Sequence, residues 1–117
     1  MARKKVVVVD PGKIKWEPVE EAPEGVWAKL LWTDKKTGAM ATLTKFDKRL
    51  RGREPKHKHP QDRHGLVLEG KAIHEIGRSK KEIKRGMYVF PPAGVEHRII
   101  YVRKGTVVFG YVSARPP

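Results

Sequence analysis

Short apolar or alternating runs are separated by turn residues along the whole chain, and no stretch keeps the 3.6-residue period of an amphipathic helix. Many of these runs are rich in the β-branched and aromatic residues that favour strands. The predicted strands are 6–9, 27–32, 39–46, 56–59, 65–68, 71–76, 82–84, 87–90, 97–102 and 106–112. About ten short strands at this spacing predict an all-β barrel or sandwich.

Glycine and proline mark the turns between these strands. Segment 34–38 ends in a glycine between two predicted strands, which predicts a hairpin. Later in the chain Pro92 presets φ near −65° and Gly94 can take positive φ. The chain should therefore turn sharply there and bring His97 into the sheet in a defined direction.

The length of 117 residues predicts one domain that spans 1–117, without a linker or an internal repeat. The apolar run at 6–9 ends at Asp10. A signal sequence needs about 7–15 apolar residues and a membrane span about 20, so this run is too short for either. The chain has no cysteine, which fits an intracellular protein. We expect a cytoplasmic protein that does not contact a membrane.

Three histidines carry the clearest chemical signal in the sequence. His57 and His59 are two residues apart, which on a strand places both on one face. His97 is delivered from a second strand after the Pro-x-Gly turn. Neutral imidazole is the commonest protein ligand for zinc, iron, copper and nickel, and thiolate ligands are excluded here. We predict one divalent metal ion, Fe, Mn, Ni, Cu or Zn, held by these three histidines.

The spacing of these histidines and of nearby glycine and proline residues resembles the two motifs of the cupin superfamily. The matching positions are His57, His59 and Gly70 in the first motif, and Gly86, Pro92, Gly94 and His97 in the second. The resemblance implies a single-domain, RmlC-like β-barrel with jelly-roll topology, also called a double-stranded β-helix. The glutamate that is the usual fourth ligand of the family has no counterpart, because its place falls on Arg63 or His64, depending on the residue from which it is counted.

A narrower resemblance extends over most of the chain. Segments 16–18, 25–26, 29–31, 37–39 and 57–70 are similar to the small cupins that include the dihydroxyacetophenone and acetylacetone-cleaving dioxygenases and the cupin half of the ChrR anti-sigma factor. In these dioxygenases three histidines hold Fe(II), and in the ChrR cupin the ion is zinc. The resemblance implies a dioxygenase-like oxidoreductase that acts on a small oxygen-chelating substrate. The alternative that it implies is a non-catalytic metal- or ligand-dependent sensor.

Other candidate residues surround the histidines. His64 is a candidate fourth ligand, a hydrogen-bond partner of a ligand or substrate, or an outward-facing residue. Arg63 would be repelled by the ion, so we assign Arg63 and Phe90 to substrate binding. Tyr101 shares strand parity with His97 and is the candidate catalytic hydroxyl. His74 matches no ligand position, and we expect it on the solvent face of its strand.

The acidic residues and the net charge have simpler interpretations. Glu69, Glu75 and Glu96 are expected on the surface. The net charge is +13, with basic clusters at 45–58 and 78–85. Clustered Lys and Arg bind nucleic acid phosphates, but these clusters contain only Phe46 as an aromatic platform for bases. A charged, heat-tolerant surface explains them better, and we do not expect nucleic acid as a partner.

The N-terminal arm, residues 1–12, is the predicted dimer contact. The run at 6–9 is apolar on both faces, and such a terminal strand is costly to leave as an open edge. The resemblance agrees, because many cupins pair through such strands. We therefore predict a homodimer that binds a small molecule.

Overall fold

The computed structural model describes residues 5–51 and 58–116, and within them the chain forms two antiparallel β-sheets. The strands are β1 (Glu17–Pro18), β2 (Val26–Thr33), β3 (Met40–Phe46), β4 (Leu50–Arg51), β5 (Arg63–Glu69), β6 (Lys71–Ile76), β7 (Ser79–Lys84), β8 (Tyr88–Val89), β9 (His97–Val102) and β10 (Thr106–Val112). One sheet has the order β1-β2-β3-β10-β5-β8 and the other β4-β9-β6-β7. The predicted all-β fold is confirmed, and the topology is that of a jelly-roll barrel.

The hairpin predicted between β2 and β3 is present. Gly38 has φ +80°, and its amide donates to the Asp34 carbonyl at 2.7 Å. The Asp34 amide in turn donates to the Ala39 carbonyl at 2.8 Å. The turn therefore sets the register in which Thr33 pairs with Met40 and Trp32 with Ala41.

The inward face of the larger sheet follows directly from strand register. Val67, Gly65 and Arg63 of β5 lie opposite Val108, Gly110 and Val112 of β10. Because side chains alternate along a strand, these six positions share one face. All six line the cavity between the sheets.

A β-bulge interrupts the alternation on the smaller sheet. His74 pairs with Ile99 and Ile73 pairs with Tyr101, so Ile100 is an extra residue on β9. An extra residue reverses which face the following side chains occupy. His97 and Ile99 line the cavity, but the next inward residue is Val102, which is buried in the core.

The core lies between the sheets, beside this cavity. Val26 and Phe46 of the larger sheet and Val102 of the smaller sheet form its buried centre. Ile99 and Val108, which pack against this centre, also line the cavity. Burying apolar surface from both sheets holds the two walls of the cavity at a fixed separation.

The strand predicted at 6–9 is wrong. Residues 5–10 form no strand, and the side chains of Val6 and Val8 are 92% and 89% exposed. Without a paired neighbour, a β-branched run has no ladder of hydrogen bonds to define it as a strand. None of the described residues forms a helix long and apolar enough to cross a membrane.

Candidate metal and substrate site

A cavity of about 390 Å³ opens between the two sheets. Most of its described lining is apolar, which suits a small organic ligand. Four of the described residues that border it are histidines: His59, His64, His74 and His97. Its described lining also includes Arg63 but no aspartate or glutamate.

The Pro-x-Gly turn is held against the segment that carries His59. The Gly94 amide donates to the His59 carbonyl at 2.9 Å, and the Ala93 amide donates to Asp62 Oδ1 at 2.8 Å. Gly94 has the positive φ, +80°, that its place in the turn predicted. These two bonds bring together chain segments far apart in sequence, and the rings of His59 and His97 lie with their centroids 5.0 Å apart.

His59 precedes β5 and is not in a strand, so the predicted strand at 56–59 is not formed at its described end. The placement of His59 therefore depends on the turn that it contacts. His57 lies outside the described residues, and the predicted pairing of His57 with His59 stays a prediction.

His74 was expected on the solvent face, and this expectation is wrong. His74 and His97 are both buried, 8% and 7% exposed, and His74 Nε2 lies 2.9 Å from His97 Nδ1 in a hydrogen bond. The β6–β9 pairing places the two residues on the same inward face of the smaller sheet. The alternation along β6 agrees, because Ala72, two residues before His74, also lines the cavity.

Glu75 is a second correction, since it is 6% exposed instead of lying on the surface. Its carboxylate Oε1 accepts a hydrogen bond from Arg98 Nε at 3.0 Å, and the two residues are register partners across β6 and β9. A charge-assisted hydrogen bond of this kind offsets part of the cost of burying the carboxylate. Glu75 is not among the residues that line the cavity.

His64 contacts a different group of residues. Its ring stacks on Phe90 with the centroids 4.5 Å apart, it also contacts Tyr111, and its Nδ1 hydrogen-bonds the Tyr88 hydroxyl. His64 alternates with inward-facing Arg63, so its side chain starts from the other face of the sheet. The ring of His97, in contrast, contacts the rings of His59 and His74. These contacts do not support His64 as a fourth ligand.

Phe90 and Tyr101 are placed outside the cavity. Phe90 is 40% exposed and stacks on His64, while its neighbours Val89 and Pro91 line the cavity. Tyr101 lies beyond the bulge of β9, where the alternation is reversed. The parity shared by His97 and Tyr101 in the sequence is therefore not kept in the sheet. An unpredictable extra residue in the ladder is the physical reason.

Arg63 does line the cavity, as its assignment to substrate binding requires. Its Nε is buried and has no hydrogen-bond partner among the described residues. Burial also lowers the pKa of the Arg63 guanidinium below its usual value. A guanidinium nevertheless stays protonated in proteins, so the cavity contains a fixed positive charge.

The donor set partly fits a divalent metal. The imidazoles of His59 and His97 lie side by side, and His74 Nε2 hydrogen-bonds Nδ1 of His97, so Nε2 of His97 is the atom that would coordinate a metal. Within residues 5–51 and 58–116, no three His, Cys, Asp or Glu side chains are placed to hold one ion. His74 Nε2 and His97 Nδ1 hydrogen-bond each other, so neither of these two nitrogens points at an ion. His57 is the remaining ligand of the predicted set.

The family model of the ChrR cupin-like domain matches residues 4–114. The chain belongs to this family. The match covers both histidine motifs and both sheets described above, so the cupin resemblance read from the sequence is confirmed.

Solved structures share the fold at low sequence identity. KdgF from Halomonas sp. is 22% identical with a TM-score of 0.76, over 97% of this chain and 96% of that one. An RmlC-like cupin from Shewanella frigidimarina is 20% identical with a TM-score of 0.72, over 98% and 96% of the two chains. A candidate acetylacetone dioxygenase from Methylibium petroleiphilum is 14% identical with a TM-score of 0.75, over 97% and 80%. No curated protein sequence matches this chain.

Proposed function

We propose that this cupin binds one divalent metal ion through His57, His59 and His97 and acts as a dioxygenase-like enzyme on a small oxygen-chelating substrate. The observation that carries the proposal is the pair of rings of His59 and His97, 5.0 Å apart at the wall of an apolar cavity. A bound Fe, Mn, Ni, Cu or Zn ion would supply open coordination positions for a substrate oxygen and, for the redox-active metals, for O2.

The residues of the chain have separate tasks in this proposal. His74 orients His97 by accepting the proton of Nδ1, which selects the tautomer with Nε2 available to a metal. The apolar lining, including Val67, Ile99 and Val108, excludes water around the substrate. The similarity to a candidate acetylacetone dioxygenase supports the oxygen-chelating class of substrate.

The second candidate function is a metal- or ligand-dependent sensor without catalysis. It is favoured by the match to the ChrR cupin-like domain and by the lack of any acidic residue in the described cavity lining. A carboxylate is a common general base, and without one the imidazoles are the main groups for proton transfer. Both candidate functions require the same metal site.

Metal content tests the proposal. Protein purified without a His-tag should contain close to one equivalent of a divalent metal, and His97→Ala should lose most of it because one ligand of three is removed. Elemental analysis measures both. Full metal occupancy in His97→Ala would exclude the site.

An oxygen electrode then separates the two functions. The enzyme should consume O2 when the iron-loaded protein receives acetylacetone, and His97→Ala should not. Metal binding with no O2 consumption would favour the sensor.

A further inference from the structure

Among the residues that the structure describes, the positive charge of Arg63 in the cavity has no acidic partner. Arg85 and Arg98, in contrast, each pair with a glutamate. The described lining of the cavity contains no aspartate or glutamate. A partly buried charge without a partner is costly, so the binding of an anion in the cavity would be favourable.

Arg63 lines the same cavity as the histidines. Arg63 shares the inward face of β5 with Gly65 and Val67, and the smaller sheet presents His97 and Ile99 to the same cavity. The buried Nε has no protein acceptor among the described residues, so the guanidinium keeps hydrogen-bond capacity for a ligand. A planar carboxylate is the group that a guanidinium binds with two parallel hydrogen bonds.

We propose that Arg63 is an anion-binding residue and that the ligand of this cavity is a small organic acid, whose carboxylate binds Arg63 while a second oxygen, keto, enol or hydroxyl, is free to face the histidines. Only the role of the second oxygen rests on the proposed function, because that oxygen would bind the proposed metal ion. The cavity of about 390 Å³ is large enough for such a molecule.

Two ligands of equal size test whether a carboxylate increases affinity for the cavity. Acetoacetate and acetylacetone have the same number of non-hydrogen atoms, but only acetoacetate carries a carboxylate. Isothermal titration calorimetry on the full-length, zinc-loaded protein avoids turnover, since zinc has no redox chemistry. Acetoacetate should bind at least about 10-fold more tightly than acetylacetone, because it adds a charge-assisted hydrogen-bonded pair.

Arg63→Met should remove this preference. Acetoacetate affinity should fall by about 10–100-fold, and acetylacetone affinity should stay within about 3-fold. Arg63→Lys should restore part of the acetoacetate affinity, since it restores the charge but not the bidentate geometry. Arg78→Met, at an exposed turn, is the matched control for the net charge and should bind both probes like the wild type.

Folding of the variants is checked by thermal unfolding. Because Arg63 has no acidic partner in the described part of the chain, Arg63→Met should unfold at a temperature no lower than the wild type. A large drop would show that the guanidinium has a structural role, and it would overturn the proposal. Acetoacetate binding that is unchanged in Arg63→Met, or a wild type that prefers acetylacetone, would overturn it as well.

Metal-free protein distinguishes a failure of the anion site from a failure of the metal site. Acetoacetate binding that depends on Arg63 but is the same with and without metal would support the anion site and contradict the proposed metal function. Binding that improves with metal but ignores Arg63 would support the metal site and overturn the anion site.

Discussion

At the residue scale, the observed position of His74 differs most from the position that the sequence predicted. It matches no ligand position, yet its ring is buried against His97 with a hydrogen bond of 2.9 Å. Partners of this kind fix the orientation and tautomer of a metal-binding histidine. We therefore treat His74 as a positioning residue.

This role predicts a graded effect on metal affinity. His74→Ala should weaken metal binding about 10–100-fold, because His97 loses the acceptor for its Nδ1 proton. His74→Gln, whose amide oxygen can accept the same hydrogen bond, should recover part of the loss. Competition with a chromophoric chelator measures the dissociation constants of both variants.

The control for this experiment is His64→Ala. His64 contacts Tyr88, Phe90 and Tyr111, so its removal should leave metal affinity near that of the wild type. A loss as large as that of His59→Ala would instead make His64 the fourth ligand. Equal losses of metal affinity in His74→Ala and His74→Gln would show that the hydrogen bond to His97 does not determine metal affinity.

At the element scale, the bulge in β9 decides which side chains reach the cavity. Ile100 is the extra residue between the pairs His74–Ile99 and Ile73–Tyr101. It brings Val102 into the core, where it is 1% exposed, and it takes Tyr101 off the face of His97. One residue in one strand thus removes a candidate catalytic group.

The bulge predicts that the Tyr101 hydroxyl has no part in the chemistry. Tyr101→Phe should keep the metal content and should change the rate of O2 consumption with acetylacetone by less than about 2-fold, because the hydroxyl that it removes is not among the groups that line the cavity. Steady-state rates at an oxygen electrode provide the measurement. A 10-fold loss of rate with the metal retained would mean that the hydroxyl does reach the substrate.

At the scale of the whole molecule, the N-terminal arm remains the predicted dimer contact. Val6 and Val8 are exposed, while Val7 and Val9 line a shallow depression with Trp32. Val7 and Val9 are still 50% and 43% exposed, so this alternation is that of an extended chain with one face partly covered by the protein and one toward solvent. The exposed face is apolar, and burying a valine contributes about 1.5–3 kcal/mol.

Light scattering should report a mass near twice 13.3 kDa at micromolar concentration. The double substitution Val6→Ser and Val8→Ser should produce monomer, because it removes the apolar face that a second copy would cover. Leu68→Ser, at another exposed apolar position, is the control and should remain a dimer. A wild type that stays monomeric when concentrated would contradict the prediction, and a control that dissociates would place the interface elsewhere.

The sequence by itself determined the fold class, the two histidine motifs and the hairpin at Gly38. Each depends on local chemistry: strand periodicity, the positive φ that Gly38 and Gly94 supply, and the spacing of His59 and His97 around the turn. Arg63 could also be assigned to the cavity, because its place matches a ligand position of the cupin motif. These properties are encoded within a few residues of chain.

Only the tertiary structure decided which side chains near the histidine motifs face the cavity. The bulge at Ile100 reverses parity, the burial of His74 depends on pairing with a strand more than twenty residues away, and the exposure of Phe90 depends on where β8 ends. That no described acidic residue lines the cavity beside Arg63 is likewise a property of the assembled cavity. Register and burial are set by contacts between distant strands, and a period read along one strand does not contain them.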